Sequence, residues 1–167
     1  DKAMAEHFTA DAPGGTAIVA QGGKVLYEKA LGMANVAKSI PLTTTDQFRI
    51  GSVSKQFAAV SILQLAEAGK LKLDDEVQQY VDFPKKEQPI TIQHLLTHTS
   101  GIPNFTNGPA YSPEAYAKDI ALKDLIALFA DQPLEFAPGT KWSYSNSGYI
   151  LLSAIIERVS GQSWSDY

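Results

Sequence analysis

Apolar and polar positions change their period several times along the chain, and each change predicts an element. Residues 16–20 and 25–28 read as two strands across Gln21-Gly22-Gly23-Lys24, where the Gly pair supplies the positive φ of a tight hairpin turn. Before them, residues 2–8 predict a short helix that ends ahead of Ala12-Pro13-Gly14-Gly15. Residues 41–46 form a polar connection. The strongest helical stretch runs over 52–68, where Phe57, Ala58, Ala59, Val60, Ile62, Leu63, Leu65 and Ala66 cover almost every direction around the axis. A helix apolar nearly all round is expected inside a protein. Gly69 stops it. Shorter helices follow. Asp74 is placed to cap 75–80, and Thr91 to cap 92–98, with closure at Gly101. Ser112-Pro113 opens another piece with Pro at the first helical position. Residues 122–130 are helical and limited by Pro133, Pro138-Gly139 makes a turn, and 147–159 is helical up to Gly161. Ser163-Trp164-Ser165-Asp166-Tyr167 reads as an N-cap and a first helical turn.

This pattern sets two strands against about six helical pieces, and a lone hairpin is marginal by itself. The chain also opens on Asp1 rather than Met. The expectation is therefore a portion of a longer protein, or a chain completed by a second one. Its expected organisation is an N-terminal helix and first hairpin over 1–50, then a nucleophile helix and helical region over 51–167.

Composition narrows the function classes. The chain has 167 residues, 44% of them hydrophobic and 19% charged, with a formal charge of -4. That describes a globular chain rather than a disordered one. No Lys/Arg-rich run points to nucleic acid, and no apolar stretch approaches the roughly 18 residues of a membrane span. Cysteine is absent, which excludes disulfides, Cys-based zinc sites and Cys nucleophiles.

Candidate chemistry starts at Ser52 and Lys55. Three residues apart on a helix, they share one face. A serine hydroxyl needs a nearby base to become a nucleophile. Ser52 stands where the helix begins, close to free N–H groups and a partial positive charge that favour a developing oxyanion. Lys55 is expected in a buried first turn, and burial would push it toward a neutral amine that accepts a proton. An N-cap Ser followed by a solvated Lys is the plain alternative for a motif this short. The second element is Tyr144-Ser145-Asn146, between a Pro-Gly turn and a helix. A Tyr phenol can relay a proton, and an Asn amide can hold both a substrate carbonyl and the Lys amine.

Three segments, Gly51-Ser52-Val53-Ser54-Lys55-Gln56-Phe57, His94-Leu95-Leu96-Thr97-His98-Thr99-Ser100-Gly101-Ile102 and Phe136-Ala137-Pro138-Gly139-Thr140-Lys141-Trp142-Ser143-Tyr144-Ser145-Asn146-Ser147-Gly148-Tyr149, resemble the penicillin-recognising serine hydrolases. The nearest branch is the class C β-lactamase and DD-peptidase group, which also contains esterases and D-aminopeptidases. The resemblance covers nearly the whole chain, and the three segments come in order at family-like distances. It implies an α+β fold of the β-lactamase/transpeptidase type, an antiparallel sheet flanked by helices plus a helical region. It implies that Ser52 attacks a carbonyl, that Lys55 and Tyr144 share the proton work, and that Asn146 holds the substrate amide. Water then releases the acyl group. No metal or cofactor is implied. The substrate would be a β-lactam, a D-amino-acid peptide or an ester, and the location periplasmic or secreted. The family's third element, Lys-Thr-Gly or a His-x-Gly variant, does not occur after Tyr-x-Asn here, so this chain alone is expected to be inactive or nearly so. The competing expectation is a catalytically silent relative that binds cell-wall peptide or a protein partner.

Other groups carry less. His94 and His98 have the i, i+4 spacing of helical metal pairs, but Leu95 stands where a metalloprotease has Glu, and a satisfied histidine pair is the simpler expectation. His7 is expected in solvent. Asp74-Asp75-Glu76 fits a helix start and Lys85-Lys86-Glu87 a solvated turn. Trp142 and Tyr149 flank the second element as cleft walls or as core.

Overall fold

The computed structural model describes residues 1–108, 111–112 and 119–167. Most of the stretch that follows Ser112, including the piece expected to start at Pro113, lies outside the described residues. Contacts divide the chain into two compact units, Asp1–Ile50 and Gly51–Tyr167.

The first unit opens with α1 (Lys2–Ala5), shorter than the pattern suggested, and the chain then turns through Phe8, whose N–H reaches the Met4 carbonyl. Strands β1 (Gly15–Gln21) and β2 (Lys24–Leu31) pair antiparallel, with Gly15 opposite Leu31 and Gln21 opposite Lys24. Gly22 and Gly23 make the turn at φ 56° and 76°, the left-handed pair that a two-residue hairpin loop needs. Asp1 ties the start of α1 to β2: its carboxylate accepts from the Tyr27 hydroxyl at 2.7 Å and pairs with Lys29 at 2.9 Å. The hairpin is not the only pairing. A second small sheet joins β3 (Met33–Asn35) to β4 (Ile40–Pro41). Strands of two or three residues carry no readable period, so the sequence pattern does not reveal them.

The second unit holds the whole set of fully buried apolar side chains among the described residues. A single 3₁₀ turn, Gly51–Val53, leads into α2 (Ser54–Glu67). A 3₁₀ turn at Val77–Gln79 follows, then α3 (Ile92–Leu96), another turn at Phe105–Asn107, α4 (Leu122–Ala127) and α5 (Asn146–Ser160). Helix α5 is the hub. It buries Ser147, Gly148, Leu151, Leu152, Ile155 and Ile156, a continuous stripe on one face. Against that stripe pack α2 through Ala58, Ile62 and Leu65, α3 through Ile92 and Leu95, and α4 through Ile126. Each such aliphatic side chain contributes about 1.5–3 kcal/mol by leaving water.

Helix α2 departs from the expectation of all-round burial. Its covered face is Ala58, Ile62 and Leu65, while Phe57 is 57% exposed, Val60 52% and Leu63 49%. An all-apolar surface needs neighbours on every side, and the elements of this unit supply them along one stripe only. Capping follows the sequence at Thr91, whose hydroxyl accepts the His94 N–H while His94 Nδ1 accepts the Thr91 N–H. It differs at Asp74. The carboxylate that organises that turn is Asp75, which accepts from the Lys72 N–H at 2.7 Å and the Tyr80 hydroxyl at 2.6 Å. Lys86 is no solvated turn residue either. Its Nζ reaches the carbonyls of Ala130 (2.6 Å) and Gln132 (2.9 Å), satisfying acceptors just beyond α4.

Two polar devices set the backbone for the site. Backbone bonds from Glu135 to Gly101, Gly139 to Thr99 and Ser143 to His98 lay residues 135–143 alongside 98–101. Gly101 sits at φ 74°, and a Cβ there would collide with the Phe136 carbonyl. Ser147 is fully buried, and its Oγ donates to the Pro103 carbonyl at 2.6 Å and accepts the Phe105 N–H at 3.0 Å. That one hydroxyl bonds residues 103–105 to the first turn of α5. Ser147→Ala is expected to lose about 1–3 kcal/mol, because two backbone groups lose their partner at once. Denaturant unfolding would show this as a lower midpoint at unchanged m-value.

Candidate active site

The start of α2 and the start of α5 face each other across the second unit. Ser52 lies in the 3₁₀ turn Gly51–Val53, just before α2 rather than on it, and Lys55 is in the first turn of α2. The hydroxyl of Ser54 bonds the Gly51 carbonyl and pins that turn. Tyr144 and Ser145 precede α5, and Asn146 is its first residue.

The four residues singled out by sequence come together. Ser52 Oγ is 2.6 Å from the Tyr144 hydroxyl. Lys55 Nζ donates to Ser52 Oγ at 3.2 Å and to Asn146 Oδ1 at 2.7 Å. The same ammonium lies 4.8 Å from the Tyr144 ring centroid and 5.4 Å from that of Tyr149, within cation–π range of both. Ser52 is exposed and Lys55 half-buried. The premise that a greasy helix seals Lys55 away from water therefore does not hold. What surrounds Lys55 is a set of acceptors and aromatic faces, drawn from a segment about 90 residues later in the chain.

Asn146 has a defined orientation. Its Oδ1 takes the Lys55 bond, and its Nδ2 donates to Thr106 Oγ1 at 3.1 Å. A flipped amide would set Nδ2 against Lys55, donor against donor. Asn104 Oδ1 accepts the Asn146 N–H at 3.1 Å, one of the N–H groups that a helix start leaves open. Thr106 and Asn104 belong to the site's support, and nothing in their sequence spacing marked them. The signal that could have found them is the cluster of amide and hydroxyl side chains Asn104, Thr106 and Asn107 shortly after the Thr99-Ser100-Gly101 segment.

The histidine pair separates. His94 Nδ1 serves the α3 cap, while His98 Nδ1 accepts the Ser145 N–H at 3.2 Å. The His98 ring packs against Tyr144 (centroids 4.7 Å apart) and Tyr149 (5.1 Å), with Trp142 edge-on at 6.1 Å. Tyr149 faces inward and donates to the Leu96 carbonyl at 3.1 Å. Trp142 is 67% exposed, so it is no core residue. Asp75 stays within its own turn. Its carboxyl is held below the ordinary value by the Tyr80 hydroxyl and then the Lys72 N–H, and the Tyr80 phenol is pushed up to about 12, first by burial and then by Asp75.

The electrostatics single out Tyr144. Burial by itself would raise its phenol, but the polar contacts from Lys55 and Ser52 and the charge of Lys55 outweigh it, so the phenol ionises below its ordinary 10.0. Tyr149 shifts the other way, raised by burial and then by the neighbouring Tyr144. A tyrosinate with a hydroxyl at hydrogen-bond distance can take a proton. Ultraviolet titration of ionised tyrosine should show one step below 10.0 that Tyr144→Phe removes. Lys55→Met should move that step up, since burial then acts with less opposition.

The chain is similar to known proteins along nearly all of its length. The chain matches the family described as Beta-lactamase over residues 2–167. It is 38% identical to penicillin-binding protein 4* of Bacillus subtilis (strain 168), over 92% of this chain and 34% of that protein. The chain thus spans about a third of the length of this curated relative. Among solved structures, a penicillin-binding protein from Bacillus halodurans superposes with a TM-score of 0.78 at 39% identity, over 91% of this chain and 47% of that one. A D-stereospecific amidohydrolase from Streptomyces sp. gives 0.80 at 28% identity, over 99% of this chain and 52% of that one. The fold is that of the β-lactamase/transpeptidase type, and by the match along its length the chain belongs to the Beta-lactamase family.

Proposed function

We propose that this chain carries the nucleophile half of a serine hydrolase that forms an acyl-enzyme on Ser52. The observation that carries the reading is the three-way contact at Ser52 Oγ, 2.6 Å from the Tyr144 hydroxyl and 3.2 Å from Lys55 Nζ. Oγ has one proton. With Lys55 donating to the oxygen, that proton is directed at Tyr144. Tyr144, its phenol held below the ordinary value, accepts it as Oγ attacks the substrate carbonyl. The same phenol then returns a proton to the leaving group. Lys55 holds the negative charge that passes between Oγ and the phenol oxygen. Asn146 fixes Lys55 through Oδ1, and the second N–H of its amide is available to a substrate carbonyl. Water finally releases the acyl group by the reverse sequence.

The substrate classes proposed are β-lactams, D-amino-acid peptides or amides, and esters. Membership of the Beta-lactamase family and the likeness to a penicillin-binding protein and a D-stereospecific amidohydrolase support this range. The location proposed with it is periplasmic or secreted, where cell-wall material and compounds that resemble it are met.

The test is intact-mass and peptide analysis after exposure to a penicillin, an activated ester and a D-amino-acid amide. The protein containing this chain should gain one acyl group, on the Ser52 peptide. Ser52→Ala should abolish the adduct, and an adduct that persists would show that the nucleophile lies elsewhere. Tyr144→Phe should slow acylation by roughly 10²–10⁴-fold, the usual worth of a positioned acid-base group.

A further inference from the structure

Among the described residues, His98 is a titratable side chain packed against Tyr144 that the proposed chemistry does not use. Three observations mark it. Its backbone is left-handed, at φ 58°, a conformation uncommon outside glycine that persists where surrounding structure enforces it. Its ring packs against both the Tyr144 and the Tyr149 rings, each tilted from it by 33°. Its Nδ1 accepts from the Ser145 N–H, the peptide group directly after Tyr144. A backbone N–H can only donate, so Nδ1 carries no proton and the neutral ring bears its hydrogen on Nε2. The side chain of Ser145 is 3% exposed and its Oγ has no hydrogen-bond partner among the described residues, so its hydroxyl does nothing to hold this peptide in place.

We propose that His98 is a positioning residue for Tyr144, acting as a neutral imidazole with a bare Nδ1, and that its protonation loosens the phenol from Ser52. The role rests on the reading of Ser52 as nucleophile, but the coupling between the two rings does not. Protonation would place an N–H at Nδ1 against the Ser145 N–H, donor facing donor. It would also put a cation into an aromatic stack that already holds the Lys55 ammonium. Among the described residues, the titratable groups facing the ring are Lys55 from α2, Tyr144 ahead of α5 and Tyr149 from α5, and none of these is a carboxylate that could stabilise the imidazolium. Burial and then the Lys55 charge hold the ring below the ordinary histidine value of 6.5. The sign follows: the ring is neutral and the phenol held above that lowered value, and both are lost as pH falls through it.

The experiment is nuclear magnetic resonance of the protein containing this chain, with labelled histidine nitrogens and tyrosine ring carbons, joined to its acylation rates across the same pH range. His98 should show the Nε2–H tautomer near neutrality. Below pH 6.5 the Tyr144 ring signal should move with the same midpoint as His98, and the acylation rate should fall along it. His98→Asn keeps a side-chain acceptor and tolerates the left-handed backbone. In that variant the acid step should vanish from both the Tyr144 signal and the rate, and the acylation rate constant at neutral pH should fall about ten- to a hundredfold through looser placement of the phenol. An Nδ1–H tautomer, a Tyr144 signal that ignores the His98 titration, or an acid step that survives in His98→Asn would each overturn the proposal. Absence of any Ser52 adduct at every pH would instead reject the hydrolase reading, and the resonance data would still decide the coupling.

Discussion

The hydrogen bond from Lys55 Nζ to Asn146 Oδ1, at 2.7 Å, joins the first turn of α2 to the first turn of α5. These helices also share the apolar core, through Ala58, Ile62 and Leu65 on one and Leu151, Leu152, Ile155 and Ile156 on the other. The polar bond is therefore the outer end of a packed interface and inherits its rigidity. A close-packed core permits little sliding of one helix past another. Any shift of α5 relative to α2 would separate Tyr144 from Ser52 as well, because Tyr144 lies immediately ahead of α5.

Support for the α5 side comes from residues that touch no nucleophile. Ser147 bonds Pro103 and Phe105, Asn104 bonds the Asn146 N–H, and Thr106 holds the Asn146 amide. Each of these satisfies a polar group at a helix start or in a half-buried loop, where an unpaired donor is costly. The same bonds that make the loop stable decide which end of the Asn146 amide meets Lys55. Stability and chemistry are served by one network, and a mutation in it changes both.

Charge and aromatic surface shape the other side. Lys55 lies against the rings of Tyr144 and Tyr149, and His98 packs against both rings. The result is one phenol drawn below its ordinary value and a second pushed above it. Two tyrosines, Tyr144 and Tyr149, are thereby given opposite acid-base character by position alone. Opposed shifts of this kind separate a proton carrier from a structural ring.

Much of the architecture was readable from residue order. Gly22-Gly23 determined the hairpin turn, Thr91 the start of α3, Gly161 the end of α5, and the spacing of Ser52, Lys55, Tyr144 and Asn146 named residues that the fold brings to one place. These are local signals, set by backbone conformation and by turns of one helix. What the sequence could not determine depends on partners distant along the chain. The apolar surface of α2 looked uniform, yet only the stripe facing α5 is covered, because burial belongs to a pair of surfaces. Lys86 finds carbonyls more than 40 residues away, and His98 and Thr106 gain their places only when residues 98–107 fold against the start of α5. Residue spacing put Lys55 near Ser52 and Asn146 near Tyr144. Tertiary packing decided their orientation and acidity, since hydrogen bonds and fields act through space and take no account of distance along the chain.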